Sequence, residues 1–214
     1  MWAMPTKRLF ITLEGTDGVG KSTHARLLKR WLQKKGVRVL LTREPGGGAL
    51  AEKIRGLLLN PAIRMAPLVE LFLYEAARAD HLKTVIQPAL KKKRVVICDR
   101  FTDATLAYQG FARGLSLTDI AALNEVASEG LKPDLTLLLD LSPKEGLAKA
   151  RARTTSGSGD RLENEGLAFQ RRVRHGYLSV AKRDKKRIRV VPVQSTIEAT
   201  QGLIRDIVAS VLKR

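Results

Sequence analysis

The stretch Leu9-Phe10-Ile11-Thr12-Leu13-Glu14-Gly15-Thr16-Asp17-Gly18-Val19-Gly20-Lys21-Ser22-Thr23 decides how the chain is read. An apolar run, Leu9 to Glu14, passes into a glycine-rich loop, and that loop opens an amphipathic segment starting at Lys21. Glycine lets a backbone come close to a ligand, and successive N–H groups at a helix N-terminus form a cradle for an anion. The spacing of Gly15, Gly20, Lys21 and Ser22 adds an ammonium for the outer phosphates of a nucleoside triphosphate and a hydroxyl suited to Mg²⁺. In this strand–loop–helix setting, Gly15, Thr16, Asp17, Gly18, Val19, Gly20, Lys21, Ser22 and Thr23 are predicted to bind ATP. Lys21 is the predicted catalytic cation and Ser22 a predicted metal ligand.

Outward from this loop the hydrophobic pattern repeats. Continuous apolar runs at Leu9 to Glu14, Val37 to Thr42, Val95 to Cys98, Leu135 to Leu141 and Ile188 to Val193 read as strands buried on both faces. Helical spacing occupies Lys21 to Lys35, Ala49 to Leu59, Leu68 to Lys91, Ser116 to Gly130, Lys144 to Arg151, Gly166 to Arg183 and Ile197 to Lys213. The alternation predicts an α/β fold, doubly wound, with a five-stranded parallel sheet and helices on both faces. Right-handed crossovers put the strand C-termini on one edge, where ligands bind. No repeat or Pro-rich linker divides the 214 residues, so a single domain over 1–214 is expected, with residues 1–8 disordered.

Composition narrows the function classes. Hydrophobic residues make up 44% and charged residues 28%, the balance of a globular chain. The single cysteine, Cys98, excludes an internal disulfide framework and, within an apolar run, reads as a buried thiol. No stretch is long and apolar enough for a membrane span, and the N-terminus lacks a signal-peptide core; a cytoplasmic location is expected. The net charge is +18, with runs at 91–94 and 182–187. Both precede apolar strands and read as solvated faces, so nucleic acid is not an expected partner.

Other motifs lie at strand ends on the same edge as the loop. Arg43-Glu44-Pro45-Gly46-Gly47 follows the second strand, with Arg55 in the next helix; Asp99-Arg100-Phe101 follows the third, ahead of Thr105, Tyr108 and Gln109. Asp99 is placed to act through Mg²⁺, and Arg100 to grip a phosphate with its planar fork. The segment Thr154 to Gly159, flanked by Arg151, Arg153 and Arg161, is small, flexible and basic, as a mobile lid is. His24, His81 and His175 read as helix-surface residues, and Phe72 as core.

The order and spacing of these motifs resemble those of the thymidylate kinases of bacterial type. The resemblance rests on Glu14 to Thr23, Thr42-Arg43-Glu44-Pro45-Gly46-Gly47, Tyr74 with Arg78, Asp99-Arg100-Phe101 with Tyr108-Gln109-Gly110, and Pro133-Asp134-Leu135-Thr136. It implies a P-loop kinase that transfers the γ-phosphoryl of ATP to dTMP with Mg²⁺, in the synthesis of dTTP, and that forms a homodimer. By position it implies a dTMP site of Asp17, Arg43, Pro45, Arg55, Tyr74, Arg78, Arg100, Thr105, Tyr108 and Gln109. Tyr74 would stack on thymine, Arg78 would hydrogen-bond the base, and Tyr108 would pack near the sugar to disfavour a 2′-hydroxyl. Asp17 would lie by the sugar 3′-hydroxyl, and Arg55 and Arg100 would bind the acceptor phosphate.

Two departures stand out. Many relatives carry serine where this chain has Ala104, and one branch carries an arginine in the phosphate loop where this chain has Gly18. The bacterial branch supplies that charge from the lid, here about 151–163, which makes Arg153, then Arg151 and Arg161, the catalytic candidates beside Lys21 and Arg100. The rival readings are a kinase for another nucleoside monophosphate and a nucleic-acid-stimulated P-loop ATPase. Against a GTPase switch, no Asn-Lys-x-Asp motif is present. Against a helicase-type motor, Asp99 is followed by arginine and not by a second acid.

Overall fold

The five apolar segments become the five strands of one parallel sheet: β1 (Leu9–Glu14), β2 (Val39–Arg43), β3 (Val95–Asp99), β4 (Leu135–Asp140) and β5 (Ile188–Pro192), in the order β2-β3-β1-β4-β5. The computed structural model describes residues 8–153 and 161–212; the expectations for 1–7 and for the Gly/Ser stretch of the lid at 154–160 lie outside the described residues. Every residue of β1 is buried, whereas β2, at the sheet edge, is only half covered. The continuous apolar run at β1 follows from that central place, since helices cover both of its faces.

Alternation along the strands sorts the core into two layers. Leu9, Ile11 and Leu13 of β1 pack with Val95, Ile97, Leu135 and Leu137 under α1 (Lys21–Lys34) and α9 (Ile197–Leu212). On the other face, Phe10, Val96 and Cys98 meet Leu82, Ile86 and Phe101. The predicted helix from Leu68 to Lys91 is one run in three parts: α3 (Pro67–His81), a π-helical segment (Leu82–Ile86) and α4 (Gln87–Lys91). The remaining helices are α2 (Ala49–Leu59), α5 (Thr102–Thr105), α6 (Leu117–Ala127), α7 (Pro143–Arg153) and α8 (Gly166–Arg183). Because the chain builds β2 and β3 to one side of β1 and β4 and β5 to the other, the crevice at the C-terminal end of β1 is the topological switch point.

Some expectations are corrected. Phe72 is 52% exposed, because the inner face of α3 is taken by Leu71, Glu75 and Arg78. His24 and His81 are buried and not on the helix surface: His24 Nδ1 pairs with Gln201 Oε1 at 2.9 Å, and His81 lies between Thr42 and Glu44. His175 is exposed, as expected. The helical stretch of α5 and its π-helical continuation Leu106–Ala112 had no helical signal in the sequence. Its buried residues mix Asp103, Thr105 and Gln109 with Ala107, Tyr108 and Ala112, so polar positions break up the apolar period.

Candidate active site

The phosphate loop leaves β1 at the switch point. Gly15, Gly18 and Gly20 all have positive φ, the left-handed region that suits glycine. Gly18 has a second reason. A Cβ there would sit 1.8 Å from the carbonyl oxygen of Gly146 in α7, and one on Gly146 would sit 2.5 Å from the Asp17 carbonyl. The start of α7 thus lies directly on the loop, and no side chain, least of all an arginine, fits at position 18 with α7 so placed. Lys21 turns its Nζ back onto the Gly15 and Thr16 carbonyls, at 3.0 and 2.7 Å. Burial, with the nearby Arg100 charge, pulls its pKa down to about 8. The Ser22 hydroxyl donates to Asp99 Oδ2 at 2.5 Å, so the two predicted metal ligands are adjacent.

Arg100 stands at the centre. Its backbone is left-handed, with φ of 74°, a strained state for arginine, and its N–H donates to the Leu13 carbonyl at 3.0 Å. This turn sends the side chain back under the phosphate loop. Nη1 donates to the Gly15 carbonyl at 3.0 Å and to Tyr177 Oη at 2.9 Å; Nη2 donates to Asp17 Oδ1 at 2.5 Å and to Tyr108 Oη at 2.9 Å. Asp17 is held from the far side as well, since the Gln170 amide donates to its Oδ2 at 2.7 Å. Burial opposes the charge on Asp17, but Arg100, Lys21 and the hydrogen bonds from Gln170 and Tyr108 together hold the carboxyl below its usual range.

Behind Arg100 lies Glu14, fully buried at the end of β1. Its Oε1 accepts the Phe101 N–H at 2.7 Å and its Oε2 accepts the Tyr177 hydroxyl at 2.7 Å. Burial and the charge of Asp103 push its pKa up to about 8.

Nine of the ten predicted acceptor residues line one cleft: Asp17, Pro45, Arg55, Tyr74, Arg78, Arg100, Thr105, Tyr108 and Gln109. Counting its open mouth, the cleft holds about 550 Å³. Arg78 is its most constrained member. Nε donates to Glu44 at 2.8 Å, Nη1 to Glu75 and Asn124, and Nη2 to Thr105 at 2.9 Å. Of the five guanidinium N–H groups, four are used among the described residues, leaving one on Nη2. Gln109 is fixed by donation to Glu70 at 2.7 Å, and Arg55 Nη1 donates to the Pro45 carbonyl at 2.8 Å. Arg43 is the exception. It lies outside this cleft, on the rim of the adjoining polar chamber with Lys21, Ser22 and Asp99, and its Nη2 donates to both oxygens of Glu52 at 3.0 Å. Asp17, Arg55 and Arg100 line both spaces.

The lid candidates separate. Arg151 is exposed near the end of α7; Arg153 closes that helix, and its side chain lies outside the described residues. Arg161 is not among the residues lining the phosphate chamber. Its Nε donates to the Leu58 carbonyl at 2.8 Å and its Nη1 pairs with Glu70 at 2.6 Å, which turns it toward the end of α2 and away from Lys21. Sequence reasoning gave no role to Glu14, Glu44, Glu70, Glu75, Gln170 or Tyr177. Glu14 and Glu44 stand inside the quoted motifs, which was their only signal.

Comparison with known proteins agrees with this geometry. Residues 13–204 match the family model described as thymidylate kinase. The chain is 50% identical over 207 residues to a thymidylate kinase of Pseudomonas putida (strain W619), covering 96% of this chain and 99% of that protein. It is 53% identical over 180 residues to a thymidylate kinase of Synechococcus sp. (strain JA-3-3Ab), covering 84% and 85%. The crystal structure of thymidylate kinase from Ehrlichia chaffeensis superposes with a TM-score of 0.78 at 34% identity, covering 95% of this chain and 99% of that one.

The raised pKa of Glu14 has a consequence for stability. Between its ordinary value of 4.5 and about 8, the folded state holds a proton that the unfolded state lacks. Its contribution is complete below 4.5 and is lost as pH rises to about 8. The Tm of the wild type should therefore fall relative to that of Glu14→Gln as pH rises through this window. Thermal melts giving parallel curves for the two proteins would show that Glu14 is already ionised in the fold.

Proposed function

Because the chain belongs to the thymidylate kinase family, we propose that it transfers the γ-phosphoryl of ATP to dTMP, giving dTDP and ADP, with one substrate in each of the two adjoining spaces. The observation that carries this reading is the Asp17–Arg100 pair, which lines both spaces at once. The acceptor is a phosphomonoester whose own oxygen is the nucleophile, so the reaction requires no general base. What the protein supplies is alignment and charge neutralisation.

The acceptor cleft suits a thymine nucleotide. Tyr74 offers its ring to the base, and the remaining N–H of Arg78 offers a donor that four existing bonds keep from turning away. Tyr108, tied to Arg100 and Asp17, stands as a fixed wall beside the sugar. Arg55 and Arg100, which line both spaces, take the acceptor phosphate. Lys21 takes the outer phosphates of ATP, whose charge restores its full protonation. The Ser22 hydroxyl and Asp99 carboxylate are hard oxygen donors in the polar chamber and fit Mg²⁺. No group of three or more His, Cys, Asp or Glu forms a metal site among the described residues; Ser22 and Asp99 would hold an Mg²⁺ that arrives with the nucleotide. The chemistry such an ion would supply is positive charge at the transferring phosphoryl group.

Gly18 carries no charge, and α7 leads from the loop to Arg151 and Arg153. We assign the lid arginine at the transferring group to Arg153, with Arg151 next; Arg161, bonded to Glu70, is placed last. We also read the chain as one domain acting in the cytoplasm; no helix among the described residues is long and apolar enough to cross a membrane. A homodimer would cover Leu50 and Leu57 of α2 and Leu68, Val69 and Phe72 of α3, which are about half exposed in the single chain.

The acceptor preference tests the reading. In a coupled ADP-release assay dTMP should exceed UMP, CMP, AMP and GMP in kcat/KM by roughly 10²-fold or more, with dUMP the nearest competitor because it lacks only a methyl group. Equal or better turnover of any ribonucleotide would overturn it. Arg153→Ala should lower kcat by roughly 10³-fold while changing the KM for dTMP little. A raised KM with unchanged kcat would remove the lid assignment.

A further inference from the structure

The kinase site leaves unexplained a net charge of +18, whereas a magnitude of roughly 2–8 keeps a small domain soluble. Since all five strands are parallel, their starts share the edge opposite the active site. The register pairs Val39 and Leu9 with Val95, Ile11 with Leu135, and Thr136 with Ile188. The two basic runs singled out in the sequence both end on this edge.

The densest part is the corner where β2 and β3 begin. Lys34, Lys35, Arg38, Lys91, Lys92 and Arg94 are all exposed there. The Val95 N–H donates to the Arg38 carbonyl at 2.9 Å, which places the two segments side by side. Residues 32–43 and 87–95 contain no Asp or Glu; the carboxylate that reaches this corner from outside them is Glu129, which pairs with Lys83 and also feels Lys91. From this corner the row continues through Arg8 and Lys132 to Lys185 and Lys186, all exposed, ahead of β1, β4 and β5. Of the carboxylates nearest that far end, Asp184 binds Arg187, Asp134 accepts the Phe10 N–H and keeps its charge, and Glu125 lies 4.0 Å from Lys132.

Helix ends explain only part of this. α1 and α4 finish at the corner, and a cation in the last turn of each offsets the helix dipole. That accounts for Lys34 and Lys91 but not for Lys35, Arg38, Lys92 and Arg94, which lie beyond the helices. Four strand spacings of about 4.8 Å make the row about 19 Å long, and a duplex presents one phosphate charge per about 1.7 Å along its axis. Among the described residues, none of the exposed large apolar side chains falls at this corner.

We propose that this edge binds the phosphodiester backbone of nucleic acid, without sequence preference, and holds the enzyme with its active edge turned to solution. The proposal rests on the sheet geometry and not on the acceptor assignment. The reading of the runs as solvated faces treated each separately; the parallel sheet joins them.

The test is fluorescence anisotropy with the full chain and labelled duplexes of about 20 base pairs, one DNA and one RNA, across salt concentrations. At least one duplex should bind, with a log–log salt slope of about −4 or steeper; the tighter of the two identifies the natural source. Combined Lys34→Gln, Lys35→Gln, Lys91→Gln and Lys92→Gln should weaken binding at least about tenfold and flatten the slope by roughly 3, with dTMP phosphorylation unchanged. The matched control, Lys53→Gln, Arg64→Gln, Lys144→Gln and Arg171→Gln, removes the same charge elsewhere and should bind nearly as wild type. No binding to either duplex, or equal loss in both variants, would overturn the proposal. Binding to phosphatidylglycerol vesicles that the first variant abolishes, while duplex binding survives in that variant, would also overturn it.

Discussion

The bond between Arg100 and Asp17 is the constraint on which the site depends. Asp17 belongs to the phosphate loop, Arg100 to the turn after β3, and their charge-assisted contact at 2.5 Å closes the end of the sheet. Each is immobilised from behind, Arg100 by Tyr177, Tyr108 and the Gly15 carbonyl, and Asp17 by Gln170. Glu14 braces Tyr177, and its Phe101 contact keeps the left-handed turn at Arg100 in place. A guanidinium so anchored would meet phosphate charge without reorganising first, the condition for electrostatic stabilisation in the role proposed for it.

The same junction relates donor to acceptor. On one side the phosphate loop carries Lys21 and, through the close approach of Gly18 to Gly146, the start of α7. On the other, the buried chain Thr42–His81–Glu44–Arg78 ties the end of β2 to the acceptor cleft. Glu44 and Glu75 offset the cost of burying Arg78, and removal of either would leave a buried charge uncompensated. The rigidity of Arg78 is therefore a property of its neighbours, and the base discrimination proposed for the cleft would depend on them in turn.

Most of the frame was legible in the sequence. The central strands β1, β3 and β4 announced themselves because burial on two faces demands unbroken apolar runs; the edge strands β2 and β5 are more exposed than their apolar runs implied, and all five sets of ends fell within two residues of the bounds found. The glycine loop and the strand-end motifs were legible because close backbone approach and phosphate binding admit few residue types. The supporting shell was not. Glu70, Gln170 and His81 sit on helices where polar residues ordinarily face water, and only the fold shows that each is buried with a partner. Phe72 misled in the opposite sense: an aromatic residue on an amphipathic helix reads as core, but the inner face of α3 is occupied by a charged network.

If Arg100 and Asp17 act as one unit, their effects on catalysis cannot add. The most direct test is a double-mutant cycle on kcat/KM for dTMP with Asp17→Asn, Arg100→Lys and the pair combined. The double variant should lose little more than the worse single variant. Losses that multiply would mean that the two side chains work separately, and the account of the site as one braced junction would be wrong.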